Sequence, residues 1–288
     1  MEFRLGPGSV TEIDEHLHQL AIDAYALATR RCGVCANLHA LWPYLRIARI
    51  VSGVEGGDSI LTDAISEVCA TGPKDVLIAG AADTGILNLA AKASGGRAAS
   101  FVVIDLCDTP LELCRKFAKR CNLRLKTEVQ HVANIRFRAR FDLIIAHSLL
   151  QFIPPQDRLK VFSRFAWALK PGGKLIQIFN TSRRIQPAIA ADYRRGYPDW
   201  VMRELEAKNV PLPTTREAFC ARLVSYAMER ENREGVVESE EEILDVMRSA
   251  GFSTISCKNV DLNLAARYTD FVSQLSKRRY LTVASISG

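Results

Sequence analysis

The stretch KDVLIAGAADTGILNLAAKASGGRAASFVVID, residues 74–105, decides how the rest of the chain is interpreted. Its apolar run at 76–79 has the length and composition of a strand that is buried on both faces. A loop rich in glycine and alanine follows, then a helix-forming segment and a second apolar run that ends at Asp105. This order of strand, glycine loop, helix, strand and acid predicts a βαβ unit of nucleotide-binding type.

The loop and the acid divide the expected ligand contacts between them. Gly80 and Gly85 allow the backbone to approach a ligand closely, because neither residue carries a Cβ. The carboxylate of Asp105 can accept hydrogen bonds from two ribose hydroxyls. Two glycines at this spacing occur often by chance, so the acid twenty residues after Gly85 strengthens the prediction.

The composition indicates one large domain, or one domain with an elaboration, because 288 residues that are 48% hydrophobic can bury a full core. A net charge of +6 is too small to imply a nucleic-acid partner. Nine Lys/Arg and one Glu lie between Arg115 and Arg140. We interpret that segment as a solvated helix face and edge strand, with a basic docking surface for an anionic partner as the alternative.

The chain lacks an apolar run close to the ~18 residues of a membrane span, and the first sixteen residues lack the apolar core of a signal peptide. We therefore expect a cytoplasmic protein whose eight cysteines are reduced. Cys32 and Cys35, with His39 four residues on, superficially suggest a zinc or redox site. Because no second CxxC motif completes four ligands, a packed helix is the preferred interpretation and no metal is predicted.

The pattern divides the chain into three regions. Residues 1–73 form a helical cap, in which Pro43 and the glycine-rich segment 53–57 separate about three helices. Residues 74–180 and 238–288 form the α/β core. Between them, residues 181–237 form a helical insertion with no strand, broken by Pro187, Pro198, Pro211 and Pro213.

The core continues after Asp105 with alternating helices and strands. Thr109 as N-cap and Pro110 as first residue open a helix that runs to about Cys121. Strands are predicted within 126–132, at 141–146, at 174–179, near 254–260 and at 280–286, and helices at 155–169 and 240–250. The alternation predicts a doubly wound, mostly parallel sheet of seven strands. The insertion leaves directly after the fifth strand, where ligands of open α/β sheets bind, so it is a candidate substrate lid.

In this order of elements the chain resembles a Rossmann-like (class I) S-adenosylmethionine-dependent methyltransferase. The resemblance is carried by LKPGGKL at 169–175, by FDLI at 141–144 and by the Glu-rich helix that ends in Ala250, Gly251 and Phe252. It implies S-adenosyl-L-methionine as cofactor and a final hairpin whose last strand is antiparallel.

The resemblance also assigns the cofactor-binding positions, which are Gly80, Ala81, Asp83, Gly85, Asp105, Leu106, Asn134, Ile135, His147 and Ser148. Ile78 stands where the family has an acid in strand one, and the loop is one residue longer and lacks the middle glycine. Asp83 is then expected to accept a hydrogen bond from the ammonium group of the cofactor's methionine portion. The alternative is that Asp83 caps the following helix. Asp105 binds the ribose, Leu106 lies against the adenine, and Asn134 accepts from the adenine amino group or forms an ordinary turn.

His147 and Ser148 are placed where the family has residues that face the transferring methyl group. His147 is the candidate general base, with a structural role as the alternative. In the insertion, candidate substrate-binding residues are Tyr193, Arg194, Arg195, Tyr197 and Trp200, since arginines can hold an anionic group and aromatic rings can form pocket walls.

The sequence therefore predicts methyl transfer to a small-molecule acceptor, at oxygen or nitrogen in preference to carbon. The Asn/Asp-Pro-Pro-Tyr/Phe signature of nucleobase and amide N-methyltransferases is absent after strand four, which argues against a nucleic-acid substrate. The alternatives are an NAD(P)-dependent oxidoreductase or epimerase, and a catalytically inactive cofactor-binding or RNA-docking protein. The sequence leaves a homo-oligomer open.

Overall fold

The computed structural model describes residues 10–51, 59–95, 98–181, 187–231, 235–260 and 278–286. The helices are α1 (Val10–Arg31), α2 (Ala36–Ile47), α3 (Ser59–Cys69), α4 (Gly85–Ala93), α5 (Asp108–Arg120), α6 (Pro155–Ala168), α7 (Pro187–Glu206), α8 (Arg216–Glu231) and α9 (Glu240–Ser249). The strands are β1 (Lys74–Ala79), β2 (Ala98–Asp105), β3 (Leu125–Val129), β4 (Phe141–His147), β5 (Leu169–Thr181), β6 (Phe252–Asn259) and β7 (Arg278–Ile286). Short 3-10 helices lie at Val132–Asn134 and Leu150–Phe152.

The seven strands form one sheet in the order β3-β2-β1-β4-β5-β7-β6. Strands β1 to β5 pair in parallel, whereas β7 is antiparallel to both β5 and β6. The predicted mostly parallel seven-stranded sheet and its terminal hairpin are confirmed. Chain order reverses between β1 and β4, so the carboxyl ends of these strands flank the crevice in which open α/β sheets bind ligands.

Successive side chains of the strands pack on opposite faces of the sheet. In β1, Leu77 and Ala79 belong to one buried cluster and Val76 and Ile78 to another. Helices α6 and α9 cover the first face, and α3, α4 and α5 cover the second. Both faces are therefore dry, which accounts for the nearly continuous apolar runs of the central strands.

A third apolar cluster joins α1, α2, α7 and α8, which we call the helical layer. Tyr44 and Phe219 pack edge to face with ring centroids 5.1 Å apart, and Tyr25 lies within 6.5 Å of both. Ion pairs from α1 to α5 join this layer to the helix that follows β2, including Lys116 with Asp23 at 2.9 Å. The predicted boundaries at 73, 180 and 237 stay predictions, although α3 packs on the sheet and α1 and α2 pack on the insertion.

Two prolines that we predicted to break helices lie inside them. Pro43 is within α2 and Pro198 is within α7, and both are buried. A proline removes one N–H donor and crowds the preceding turn, but packing within the helical layer holds the turns on either side. The predicted helix breaks at these two prolines are therefore wrong.

The predicted N-cap of α5 was also misplaced. The helix begins at Asp108, and its N-cap is Cys107, which has extended backbone angles. The backbone N–H of Cys107 donates to the Asp105 carboxylate at 2.8 Å. This contact turns the chain into the helix two residues before Thr109, so Thr109 lies within the first turn.

The fifth strand begins earlier than the predicted 174, so the glycines of LKPGGKL lie in an irregular stretch of β5. Leu169 pairs with Phe141 and Lys174 pairs with Leu143, so four residues bulge between them. A Cβ on Gly173 would lie 2.8 Å from the Lys170 carbonyl oxygen, which explains why a glycine is needed there. None of the helices in the described part of the chain has the length and apolar character needed to cross a bilayer.

Candidate active site

The loop after β1 and the acid that ends β2 are held together by hydrogen bonds. The Gly80 N–H donates to the Ile104 carbonyl at 2.9 Å, and Gly80 has a φ of +81° that favours glycine. The Ala81 N–H donates to Asp105 Oδ2 at 3.0 Å, and the Cys107 N–H donates to Oδ1. The predicted neighbours Gly80, Ala81 and Asp105 therefore meet at the carboxyl edge of the sheet.

Asp105 keeps acceptor capacity for a ligand. A carboxylate offers about four lone-pair sites, and the two backbone N–H groups use two of them. Burial raises the pKa of Asp105, although the hydrogen bonds from Ala81 and Cys107 oppose that effect. Its half-buried position and fixed orientation are those required to bind a vicinal diol.

Asp83 already has two partners within the protein. Its side chain forms an ion pair with Arg46 of α2, in which both side chains are at most 4% exposed. Its Oδ1 also accepts from the N–H of Gly85, the first residue of α4, at 2.7 Å. The N-cap of α4 is Thr84, so Asp83 precedes the cap and binds the first N–H of the helix. The ammonium-binding role stays a prediction, which the charge of Arg46 makes harder to satisfy.

The predicted adenine-binding residues differ in their exposure. Leu106 is 67% exposed, so its apolar side chain is available to a ligand next to Asp105. Asn134 is exposed at the end of a 3-10 helix, where its backbone carbonyl oxygen accepts from the Gln130 side chain at 2.9 Å. Ile135 is fully buried and packs in the core. The side chains of Asn134 and Leu106 are thus accessible to a ligand, whereas that of Ile135 is buried in the core.

His147 ends β4 and contacts an arginine from the terminal hairpin. Nη2 of the buried Arg279 lies 2.5 Å from His147 Nε2. Because a guanidinium only donates, Nε2 accepts and the ring proton resides on Nδ1. Ser148 follows with a φ of +54°, in the left-handed region, and its N–H donates to the Ile178 carbonyl at 2.8 Å. This unusual backbone turns the chain sharply at the ligand edge.

The predicted substrate-binding residues are only partly brought together. Tyr197 is 1% exposed in the core of the helical layer, and Trp200 packs against it with ring centroids 6.3 Å apart. Tyr197 is buried as a packing residue is, and its role as a pocket wall stays a prediction. Arg195 is exposed, and the structure does not describe the side chains of Tyr193 and Arg194.

Sequence reasoning missed three residues that the fold brings to this edge: Arg46, Cys107 and Arg279. Each makes its contact across a long separation in the chain, to Asp83, to Cys32 and to His147 respectively. Nothing in the neighbouring sequence distinguishes an arginine with a role at the site from any other arginine in an amphipathic helix or at the start of a strand. Only Cys107 could have been sought from the sequence, because the motif formed by Cys32, Cys35 and His39 lacks a fourth metal ligand.

Much of the basic segment between Arg115 and Arg140 makes contacts within the fold. Arg115 pairs with Asp108 and Glu112, and Lys126 pairs with Glu128. Arg138 stacks over Trp167 and Arg140 over Phe137, both with the guanidinium 4.7 Å from the ring centroid. These contacts agree with the interpretation as a helix face and edge strand.

Comparison with known proteins identifies structures that share this fold. Residues 76–173 match the family model described as a methyltransferase domain. A search of curated proteins found no significant match. Among solved structures, Haemonchus contortus phosphoethanolamine N-methyltransferase 2, with phosphomonomethylethanolamine and S-adenosylhomocysteine, superposes with a TM-score of 0.57 at 15% identity. That alignment covers 88% of this chain but spans only 58% of the other protein.

Two further solved structures share this fold. A geranyl diphosphate methyltransferase with geranyl diphosphate and sinefungin has a TM-score of 0.51 at 14% identity, covering 79% of this chain and 78% of the other. The [4+2]-cyclase SpnF has a TM-score of 0.51 at 13% identity, covering 86% and 93%. At these identities the likeness concerns the fold alone. Residues 76–173 therefore match a methyltransferase domain, and the strand order and the solved structures show that the chain shares the fold of these proteins.

Proposed function

We propose that the protein transfers the methyl group of S-adenosylmethionine to a small-molecule acceptor. The observation that carries this proposal is the hydrogen-bonded unit of Ala81 and Asp105, which fixes a carboxylate beside the glycine loop at the crevice between β1 and β4. A nucleoside ribose needs such an acceptor, and the close backbone leaves room for the rest of the cofactor.

The cofactor is then placed along the carboxyl edge. Its ribose hydroxyls donate to Asp105, its methionine portion follows the loop from Gly80 to Gly85, and its adenine lies between Leu106 and Asn134. The exposure of Leu106 supports this arrangement, since an apolar side chain that is 67% exposed gains from being covered by a ring.

An oxygen or nitrogen acceptor is proposed in preference to carbon. The sulfonium is a strong electrophile, so an amine or hydroxyl held in line with the methyl group requires chiefly positioning and exclusion of water. The helical layer lies over part of the carboxyl edge through the Arg46–Asp83 pair and can restrict access to that edge. A covered crevice suits a small acceptor better than a polymer.

We further propose that residues 181–237 act as a lid and that the acceptor carries an anionic or aromatic group. Two of the structurally similar proteins were solved with phosphorylated compounds, phosphomonomethylethanolamine and geranyl diphosphate. In this chain, Arg194 and Arg195 on α7 supply cationic groups within the insertion. They are the residues with which an anionic acceptor is proposed to pair.

The test is calorimetric binding followed by a product assay on the purified chain. We expect S-adenosylmethionine and S-adenosylhomocysteine to bind and NADH not to bind. Incubation with S-[methyl-³H]adenosylmethionine and a panel of small amines, alcohols, carboxylates and phosphomonoesters should label at least one compound. Binding of NADH in place of S-adenosylmethionine would overturn the proposal in favour of an oxidoreductase.

A cofactor-binding protein without methyl transfer is the second candidate. It is favoured by Ile78 in place of an acid in β1, and by the engagement of Asp83 with Arg46. Both features reduce the negative charge available to the methionine ammonium. Tight S-adenosylmethionine binding with no labelled product across the panel would support this candidate against the enzyme.

A further inference from the structure

Four side chains with metal-ligand atoms meet at the carboxyl edge of β2. Cys32 follows α1, Cys35 precedes α2, His39 lies in α2 and Cys107 is the N-cap of α5. Their ligand atoms all lie within 4.8 Å of one another. Within the described ranges, this is the one group of at least three cysteine, histidine or acidic side chains placed to hold a metal ion.

We infer that these four residues bind a single zinc ion through three thiolates and one imidazole. Zinc is bound at about 2.3 Å from sulfur and about 2.0–2.1 Å from nitrogen, so tetrahedral ligand atoms lie roughly 3.5–3.8 Å apart. Cys32 Sγ lies 3.5 Å from His39 Nδ1 and 3.3 Å from Cys107 Sγ. These two separations need adjustments of a few tenths of an ångström, and the longest separation in the group, which is at most 4.8 Å, needs a shift of about 1 Å.

The turn between the first two cysteines supports a ligand role. Cys32 and Cys35 are separated by two residues, a common spacing for a pair of zinc ligands. Val34 at the tip is 99% exposed, and the turn is closed by the Ala36 N–H donating to the Gly33 carbonyl at 3.1 Å. Since Val34 buries no apolar surface, core packing does not explain this turn. The turn is explained if it directs the sulfur atoms of Cys32 and Cys35 toward one metal ion.

A hydroxyl group beside the cluster can stabilise deprotonated sulfur. The Thr109 hydroxyl lies 3.1 Å from Cys32 Sγ and can donate to a thiolate, as residues around bound metals commonly do. Zinc binding would replace the protons now shared among these groups, because it needs thiolates and a neutral imidazole.

A disulfide between Cys32 and Cys107 explains the cluster less completely. Their sulfur atoms are 3.3 Å apart, well beyond the bonded distance of about 2.05 Å. Such a bond would require an oxidant and would leave Cys35 and His39 without a role. One zinc ion uses all four side chains, and a Cys3His set is typical of closed, structural zinc sites.

The position of the cluster means that a bound zinc ion would join two parts of the fold. Three ligands come from the helical layer and the fourth is Cys107, whose N–H donates to the Asp105 carboxylate at 2.8 Å. Zinc would therefore fasten the helical layer to the loop that orients Asp105. The zinc site stands independently of the proposed function, whereas an effect of zinc on cofactor affinity rests on it.

The first test is metal content. The full chain purified with zinc in the medium and without chelators should contain about one zinc per chain by mass spectrometry. Cys35→Ser and Cys107→Ser should each lose the metal. Cys220→Ser, on α8 and outside the cluster, is the matched control and should retain it. Absence of zinc from the wild type after reconstitution, or retention by both cluster variants, would overturn the inference.

The second test needs no variant. Apoprotein prepared with a chelator under reducing conditions should take up one equivalent of Co²⁺ and develop the sulfur charge-transfer and intense visible bands of tetrahedral thiolate coordination, and Zn²⁺ should bleach them. Spectra of octahedral cobalt, or a chain that has lost two thiols to a Cys32–Cys107 bond, would contradict the site. Zinc uptake without S-adenosylmethionine binding would reject the proposed function alone.

Discussion

Arg279 Nη2 lies 2.5 Å from His147 Nε2, so an arginine of the last strand occupies the ring nitrogen that a general base at this position would use. Proton abstraction through Nε2 would require this contact to break first. The geometry instead makes His147 an acceptor that orients Arg279 at the ligand edge.

A glutamine at position 147 tests the two roles. Loss of a general base typically costs 10²–10⁴-fold in rate, whereas His147→Gln keeps an oxygen that can accept from Arg279. Once an acceptor is identified, we expect His147→Gln to lower kcat by less than about tenfold and His147→Leu to lower it more. An equal fall of roughly 10³-fold or more in both variants would show that the imidazole acts as the base.

Removal of the Asp105 carboxylate should weaken cofactor binding. Loss of hydrogen bonds to a charged acceptor costs about 1.5–3 kcal/mol, so Asp105→Ala should raise the Kd for S-adenosylmethionine by roughly 10- to 150-fold in calorimetry. The exposed Asp245, on α9, provides the matched control, and Asp245→Asn should bind normally. An unchanged Kd in a folded Asp105→Ala variant would remove this residue from the site.

The buried pair of Arg46 and Asp83 should be visible in stability. Arg46→Met leaves a carboxylate without its cation in an environment of at most 4% exposure, and such losses cost about 3–5 kcal/mol. The double variant Arg46→Met/Asp83→Asn should recover much of this free energy of unfolding in urea titrations.

The exposed pair of Arg248 and Asp245 is the comparison for that experiment. Its side chains are 61% and 72% exposed, and exposed pairs contribute about 0–1 kcal/mol. If Arg46→Met costs no more than Arg248→Met, the buried pair does not hold the helical layer to the glycine loop.

At the opposite edge of the sheet, Asp75 should contribute stability that depends on pH. Partial burial raises its pKa, but hydrogen bonds from Ser100 and Lys170 outweigh this and lower it below the ordinary value. A carboxyl whose pKa is lower in the folded state stabilises the fold above its unfolded pKa and loses that effect as pH falls through the folded pKa. Asp75→Asn should therefore cost up to about 1 kcal/mol at pH 7, since the pair with Lys170 is partly exposed. The difference from the wild type should shrink below about pH 4, and a constant difference would contradict the assignment.

The insertion should set the affinity for the acceptor. Replacing Arg194 and Arg195 by Ala should raise the KM for an anionic acceptor while the Kd for S-adenosylmethionine stays unchanged. Hydrogen exchange of α7 should slow when both ligands are bound. Normal turnover by the double variant, together with exchange that ignores the ligands, would make residues 181–237 a scaffold.

The sequence predicted those parts of the fold whose signals are local. The apolar runs of β1, β2 and β4 marked buried strands, and the Glu-rich segment at 240–250 marked the helix α9. The errors at Pro43 and Pro198 arose because tertiary packing outweighs the loss of one backbone hydrogen bond.

The candidate site was less accessible to sequence reasoning. Asp105 and the glycine loop could be predicted, because their spacing follows from one βαβ unit. The partners Arg46 and Arg279 could not, because nothing near them in the chain records which distant residue they contact. The same limit concealed Cys107 as the fourth member of the cysteine and histidine cluster.

The helical layer also constrains the order in which the molecule is assembled during synthesis. Tyr44 emerges from the ribosome long before Phe219, the ring against which it packs at 5.1 Å. Until α7 and α8 are made, the apolar faces of α1 and α2 that pack against them are uncovered, and the exposed surface favours association with other chains. A nascent chain stalled after β5 can already pack α1 on Leu113 of α5, but it should depend on chaperones until α7 and α8 cover the remaining apolar face.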